Sequence, residues 1–318
     1  AHCISHWGHD FRPDYRMIKE RLPLLRSAPV IALTATATPL VQSDICEQLG
    51  MPAAMRFIHG FRRDNLFVEV VEMKPAARAE KIELLLSESE RRPAIVYAPT
   101  RKQTEALAEQ LTERMPAAAY HAGLAAQRRD EVQEAFLRGS IEVIVATIAF
   151  GMGVDKPNVR TVLHAALPGS VEGYYQEIGR AGRDGRPARA VLLHSWADRR
   201  THEYFFERDY PDEAVLKRVY EVLGAEPLAR EALLARVGMD PETLANAIEK
   251  LWIHGGALVD PEENVRRGRP DWIEPYRKQR LHKQEQMELM TRYARGRECR
   301  MLQLVRHFGD QDDSGKPC

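Results

Sequence analysis

The chain has 318 residues, enough for two or three domains that each bury a core. Apolar residues make up 44% and charged residues 29%, which excludes a largely disordered chain. Lysine plus arginine and aspartate plus glutamate stand at 46 each, so net charge alone points to no polyanionic partner.

The chain opens AHCISHWGHD without Met, as expected of a segment cut from a longer protein. No run approaches the roughly 18 apolar residues of a membrane span and no secretory signal precedes the first element. The expected compartment is the cytoplasm, with no membrane partner. PVIALTA (29–35) reads as a strand, and PLVQSDICEQLG as a helix opened by Thr38 as N-cap and Pro39 at the first position. From residue 74 short buried-strand runs alternate with helical ones. AIVYA (94–98) precedes RKQTEALAEQLTERM (101–115); AAAYH, AAQRRDEVQEAFLRG, IEVIVAT, TVLHA, SVEGYYQEIGR and ARAVLLH follow. That alternation with short connections predicts an α/β fold, a parallel sheet covered by helices on both faces, over 74–208. Residues 1–73 read as part of a preceding domain of the same kind.

After Tyr210 helices take over. EAVLKRVYEVLG, REALLARVG and PETLANAIEKLWIHGGAL read as three helices with a turn at Gly238–Asp240. This is either a helix-turn-helix or a packed helical insert, placed at 209–265. NVRRGRPDW reads as a basic linker, and YRKQRLHKQEQMELMTRYARGRECRMLQLVRHFG as a long basic helix or helical pair within 266–318. From Glu203 to Glu249 acids outnumber bases eleven to five, whereas from Arg266 to Phe308 bases outnumber acids twelve to five. A neutral total therefore hides a basic end. Cys3, Cys46, Cys299 and Cys318 are too scattered for a disulfide framework and suit thiols or part of a metal site.

The most chemical stretch is YYQEIGRAGRDG (174–185). Arg180 and Arg183 carry planar, permanently charged forks that match phosphate oxygens, and the glycines let backbone approach a ligand. If the segment is helical, their three-residue offset turns both one way. Such a pair could neutralise a transferring phosphoryl group; the alternative is a solvated helix end. IVATIAFGMGVDKPNVRTVLH places Thr147 at a strand end, then Gly151, Gly153, Asp155 and Lys156 in a loop. Parallel sheets bind ligands beyond the carboxyl ends of their strands. Thr100 and Arg101 follow AIVYA there, and His121 and Gly123 follow AAAYH, all suited to a phosphate backbone. His121 could equally be a core histidine, and Thr147 a helix cap. ALTATAT (32–38) repeats the hydroxyl-rich pattern upstream.

Taken in order and at these distances, HCISHWGHDFRPDY, ALTATAT, AIVYAPTRKQTEALA, YHAGL, VIVATIAFGMGVDKPNVRTVLH and YYQEIGRAGRDG resemble the RecQ family of superfamily-two ATP-dependent DNA helicases. The resemblance covers about residues 1–205 and resumes near Arg277. It implies RecA-like motor domains, ATP and Mg2+ as cofactors, and movement along single-stranded DNA, 3′ to 5′, that separates forked duplexes in repair and recombination near the bacterial nucleoid.

By the same resemblance, Ala1-His2 ends a DEAH box and His2 couples nucleotide state to the motor. Trp7, Phe11 and Arg12 fall in the family's aromatic-rich loop and would sense DNA by stacking and cation–π contact; His6 stands where the family usually has Gln. Arg183 would be the arginine finger on the γ-phosphate, with Arg180 its neighbour and Gln176 a helper. Gly151, Gly153 and Asp155 would line the nucleotide site, and Thr100, Arg101, His121, Thr147 and Lys156 the DNA path. Cys299 and Cys318 would be the first two ligands of a Zn2+ subdomain, a set that two thiolates do not complete. The 211–259 block departs from the family pattern and takes no role from it. Residues 1–318 contain no G-x-x-x-x-G-K-[ST] run to cradle a triphosphate. The chain taken alone is therefore also readable as a nucleic-acid-binding module without ATPase activity.

Overall fold

Thr38 and Pro39 start a helix as their chemistry requires. The Thr38 hydroxyl accepts from the Val41 N–H at 3.4 Å, and α1 runs Pro39–Gln48. These coordinates are a computed structural model that describes residues 1–5, 7, 15, 18, 21–25, 28–151, 154–310 and 313–316. The strand expected at PVIALTA does not form: residues 29–34 have no ladder partner among the described residues, and Ile31 and Leu33 stand 79% and 78% exposed. An apolar run becomes a strand only where a neighbour accepts its backbone hydrogen bonds.

The sheet is built as the alternation predicts. Its strands are β1 (Leu66–Glu72), β2 (Ala94–Tyr97), β3 (Ala117–Tyr120), β4 (Val143–Ala146), β5 (Thr161–His164) and β6 (Ala188–His194). They lie in the order β1-β6-β5-β2-β4-β3, every pair parallel. β1 corrects the sequence reading: the boundary expected at 73/74 falls after a strand that pairs with β6 along all seven residues. Its half-exposed pattern at the sheet edge carries a weaker signal than the fully buried central strands.

Successive side chains of each strand face opposite sides, and the core divides accordingly. Ala94, Val96, Val143, Val145 and Leu163 pack with Ile82 and Leu86 of α2 (Arg78–Ser87) and Leu107 and Leu111 of α3 (Arg101–Thr112). Ile95, Ile144, Val162 and Leu192 pack on the other face with Phe136 of α4 (Ala126–Arg138) and Tyr174 of α5 (Val171–Ile178). α6 (Asp198–Asp209) follows β6.

The block after Tyr210 has its own core around Leu216, Leu233, Ile248 and Leu251. α7 (Glu213–Val222), α8 (Arg230–Val237) and α9 (Pro241–Ile253) precede an antiparallel hairpin, β7 (Ala257–Val259) and β8 (Val265–Arg267), and Leu228 bridges to Val265. Gly238 ends α8 at φ +63°, and Asp240 caps α9 by accepting from the Thr243 N–H at 2.9 Å. The elements follow in helix-turn-helix order with a hairpin after them, and the same block is packed on a core of its own, so both alternatives describe it. The hairpin lies in residues expected to continue a helix and a linker. Gly255 at φ +79° and Gly256 break that helix, because a Cβ at Gly256 would meet the Trp272 ring at 2.7 Å. Trp272 and Tyr276 complete this core from beyond the expected 265/266 boundary.

The basic end is a helical pair, α10 (Ile273–Arg295) and α11 (Arg300–Phe308), parted at Gly296. Met290, Tyr293, Leu304 and Val305 pack into the sheet core on the α5 side. Among the described residues no helix is long and apolar enough to cross a membrane.

Candidate functional site

The loop leaving β4 is held from two directions. The Tyr97 hydroxyl donates to the Phe150 carbonyl at 3.0 Å from beneath, and burial pushes its phenol pKa well above the usual value. Arg180 Nη1 donates to the Gly151 carbonyl at 2.6 Å. A Cβ at Gly151 would lie 2.5 Å from Arg180 Nη2, so this glycine permits the close approach. Its companion Gly153 lies outside the described residues.

Residues 179–184 form turns, so the helical offset expected for the two arginines does not apply. They diverge along one loop. Arg180 is partly buried against Gly151, whereas Arg183 Nη1 pairs with the Asp155 carboxylate at 2.8 Å, with side chains 38% and 83% exposed. An exposed pair of this kind is worth only about 0.2–1 kcal/mol. Asp155 thus orients the Arg183 fork without binding it tightly, and a polyphosphate could displace it. Gly182 is needed for a different reason from ligand approach: it sits at φ +60°, where a Cβ would meet Asn65 Nδ2 at 2.6 Å. Gln176 is exposed on α5, one turn before Arg180.

Behind the arginines lies a cluster without a sequence signal. His164 Nε2 and Glu177 Oε2 are 2.7 Å apart, and His164 stacks on Tyr97 with centroids 5.1 Å apart. They join the floor of the loop to α5. Only the position of Glu177 beside Gln176 hinted at a role.

At the carboxyl edge of the sheet, Thr100 caps α3 by accepting from the Gln103 N–H at 3.2 Å, and Arg101 is exposed beside it. The Thr147 hydroxyl accepts from the Ala149 N–H at 3.5 Å, which makes it a cap of its own turn. A Cβ at Gly123 would stand 3.0 Å from Arg101 Nη1 and 3.1 Å from His121 Nδ1, so these residues converge. His121 itself is buried and meets Glu105 Oε1 at 3.0 Å. The core alternative therefore holds for it, with a carboxylate in place of a backbone partner. Lys156 requires a correction. It is buried, its Nζ donates to the Leu137 carbonyl at 3.1 Å and lies 5.3 Å from the Phe136 ring centre. Burial lowers its pKa. A long apolar stem next to a helix C-terminus favours capping that helix over reaching a strand of DNA.

Upstream, His2 Nδ1 meets the Thr34 hydroxyl at 2.9 Å, which joins the start of the chain to ALTATAT. Trp7 packs edge-on against His282 of α10, whose Nε2 meets the Trp7 carbonyl at 3.0 Å. Phe11 and Arg12 lie outside the described residues. Cys299 is the N-cap residue of α11 and packs against the main core, while Cys318 lies outside the described residues. Among the described residues no group of three or more His, Cys, Asp or Glu could hold a metal ion.

The exposed Arg183 and its weak pair with Asp155 suit the terminal phosphates of a nucleotide. Residues 77–185 match the helicase conserved C-terminal domain. The chain is 48% identical over 201 residues to the RecQ-like DNA helicase BLM of Xenopus laevis, covering 62% of this chain and 15% of that protein. It is 46% identical over 215 residues to the ATP-dependent DNA helicase RecQ of Bacillus subtilis, covering 67% of this chain and 36% of that protein. The DEAD-box protein SrmB of E. coli superposes at a TM-score of 0.38 and 25% identity, covering 45% of this chain and 81% of that one, too little to add to the strand order above. This chain thus spans no more than 36% of the length of these two curated relatives. Over about two thirds of its length the chain is thus similar to RecQ-family DNA helicases, with the helicase C-terminal domain at its centre.

Proposed function

We propose that this chain supplies the nucleotide-sensing and strand-holding half of an ATP-dependent DNA helicase that moves along single-stranded DNA, 3′ to 5′, and opens duplexes during repair and recombination. One observation carries the reading: Arg183 is an exposed guanidinium held in place by a weak, solvent-facing pair with Asp155. ATP supplies the phosphoanhydride whose cleavage drives the cycle. Arg183 leaves Asp155 for the γ-phosphate and neutralises the charge that develops there. Arg180 keeps the loop in register through the Gly151 carbonyl, so movement of Arg183 is transmitted to Thr147 at the head of the same loop. Arg101 and Thr100 hold the phosphodiester backbone beside it.

The test is DNA-stimulated ATP hydrolysis by the longest natural polypeptide that contains this sequence, intact and as Arg183→Ala. Loss of about three or more orders of magnitude in turnover is expected, with DNA affinity nearly unchanged. Hydrolysis that survives the substitution removes Arg183 from the phosphate. A second reading rests on the lack of a G-x-x-x-x-G-K-[ST] run in residues 1–318: the 318-residue chain by itself binds nucleic acid without hydrolysing ATP. DNA-stimulated turnover by that chain would sink the second reading.

A further inference from the structure

Trp196 is out of place for a core aromatic. It sits in the turn between β6 and α6, 58% exposed, at the carboxyl edge of the sheet. Two guanidiniums from different elements flank it: Arg199 of α6 at 5.3 Å and Arg295 of α10 at 4.8 Å from the ring centre. Arg292 lies one turn before Arg295, and all three arginines line the surface between α6 and α10. A groove of about 660 Å³ runs there, with Glu203 and Glu288 as its acidic members. Arg199 pairs with Glu203 at 2.7 Å, but both side chains are half-exposed, so that pair is weak.

Burial explains none of this arrangement, and dipole complementarity at the end of α10 explains Arg292 and Arg295 but not the exposed ring. An exposed aromatic ring with permanent cations at its face is the chemistry that holds single-stranded nucleic acid: a base takes the place of a guanidinium on the ring and the arginines meet the phosphates. Its place in the sheet adds a direction. Strand order puts β6 three steps from β4, whose end carries Thr147, and two from β2, whose end leads to Thr100 and Arg101. At about 4.8 Å per step, the Trp196 platform lies about 14 Å and about 10 Å away along one edge. A single strand lying on Thr147 and Arg101 can continue across the ends of β5 and β6 to reach it.

We propose that Trp196, with Arg199, Arg292 and Arg295, forms an additional stacking and phosphate site that extends the single-strand path along the sheet edge to the α6–α10 groove. The inference rests on the strand-binding reading above and deepens it. Because α10 also contacts Trp7 through His282, a strand in this groove lies against the helix that touches the aromatic-rich loop.

The test is equilibrium binding of oligothymidylates of about 4 and about 16 nucleotides, a span taken from single-strand binding sites in general, to the natural full-length polypeptide. Variants are Trp196→Ala, Trp196→Phe and Arg292→Ala/Arg295→Ala. We expect Trp196→Ala to weaken the longer strand about tenfold, the loss of one stacked base, and to leave the shorter one unchanged. Trp196→Phe keeps a stacking face and should retain most of the affinity, which separates stacking from a folding defect. The arginine pair should lower the salt slope for the longer strand by about 1.4, at about 0.7 per phosphate on single strands. Equal affinity of Trp196→Ala and wild type for the longer strand overturns this site while the strand-binding reading stands. Displacement of the longer strand by polyglutamate at equal charge concentration also overturns it, because the groove then takes any polyanion. If wild type binds neither strand at low salt, the strand-binding reading fails and the site fails with it.

Discussion

Asp198→Ala gives a prediction whose size follows from the structure. Asp198 Oδ1 and Oδ2 accept from Arg78 Nη1 and Nη2 at 2.8 and 2.9 Å, with both side chains at most 8% exposed. Oδ2 also accepts from the Leu167 and Ser195 N–H groups at 3.1 and 3.0 Å. One carboxylate therefore ties together the start of α2, the turn after β5 and the start of α6. Removing it strands the Arg78 cation in the interior, which costs about 3–5 kcal/mol for a broken buried pair. Two orphaned N–H groups add to this, at about 1–3 kcal/mol each where water cannot enter. Because these terms share one carboxylate they do not add fully, and we expect a total of at least about 4 kcal/mol. Urea unfolding followed by far-UV circular dichroism should show the midpoint of the sheet domain falling with an unchanged slope. Arg78→Met/Asp198→Leu should recover much of the loss, since a pair replaced by apolar groups leaves no buried charge. A loss below about 1 kcal/mol for Asp198→Ala, or a double variant no better than the single, would refute the argument that this pair is dry.

Gly151→Ala should push the Arg180 guanidinium off the loop, because the new Cβ would lie 2.5 Å from Nη2; ATPase turnover should fall about 100-fold, as for a 1 Å misplacement, with DNA affinity kept. Lys156→Met should leave DNA affinity unchanged in a filter-binding or anisotropy assay, while Arg101→Ala lowers it, because Lys156 is buried and Arg101 is exposed. Glu172 of α5 joins His307 of α11 at 2.7 Å. Burial raises its carboxyl pKa, but hydrogen bonding to His307 and the charge of that ring outweigh it and set the pKa at about 2, below the usual 4.5. A depressed carboxyl stabilises fully above its unfolded value, so the contribution should be present above about pH 4.5 and fade as pH falls toward 2. Melting curves of wild type and Glu172→Gln should therefore differ at pH 7 and converge across that window.

Much of the second α/β domain was legible because its central strands are buried on both sides. AIVYA, IEVIVAT and TVLHA read as continuous apolar runs, and Thr38 announced its helix by cap chemistry, whereas the cap at Thr100 emerged only in the structure. PVIALTA carried the same apolar signal and formed no strand, since periodicity reports what a segment can bury, not whether a neighbour is beside it. β1 escaped for the opposite reason: at the sheet edge it shows mixed burial. The hairpin after α9 was hidden by its own helix-like composition and set by two glycines packed against Trp272 and Arg269.

At the site, residue types and spacing by themselves singled out Arg180, Arg183 and the glycine loop as candidates for phosphate chemistry, because a planar fixed charge among glycines suits phosphate oxygens, and left a solvated helix end as the alternative. Only the tertiary structure divided their labour, turning Arg180 inward to a carbonyl and leaving Arg183 outward on Asp155. It also withdrew Lys156 and His121 from the surface, and it brought Arg295, ninety-nine positions along the chain, to the ring of Trp196. Charge and shape are written residue by residue, but exposure is decided by what packs on top, and the covering elements here come from distant parts of the chain.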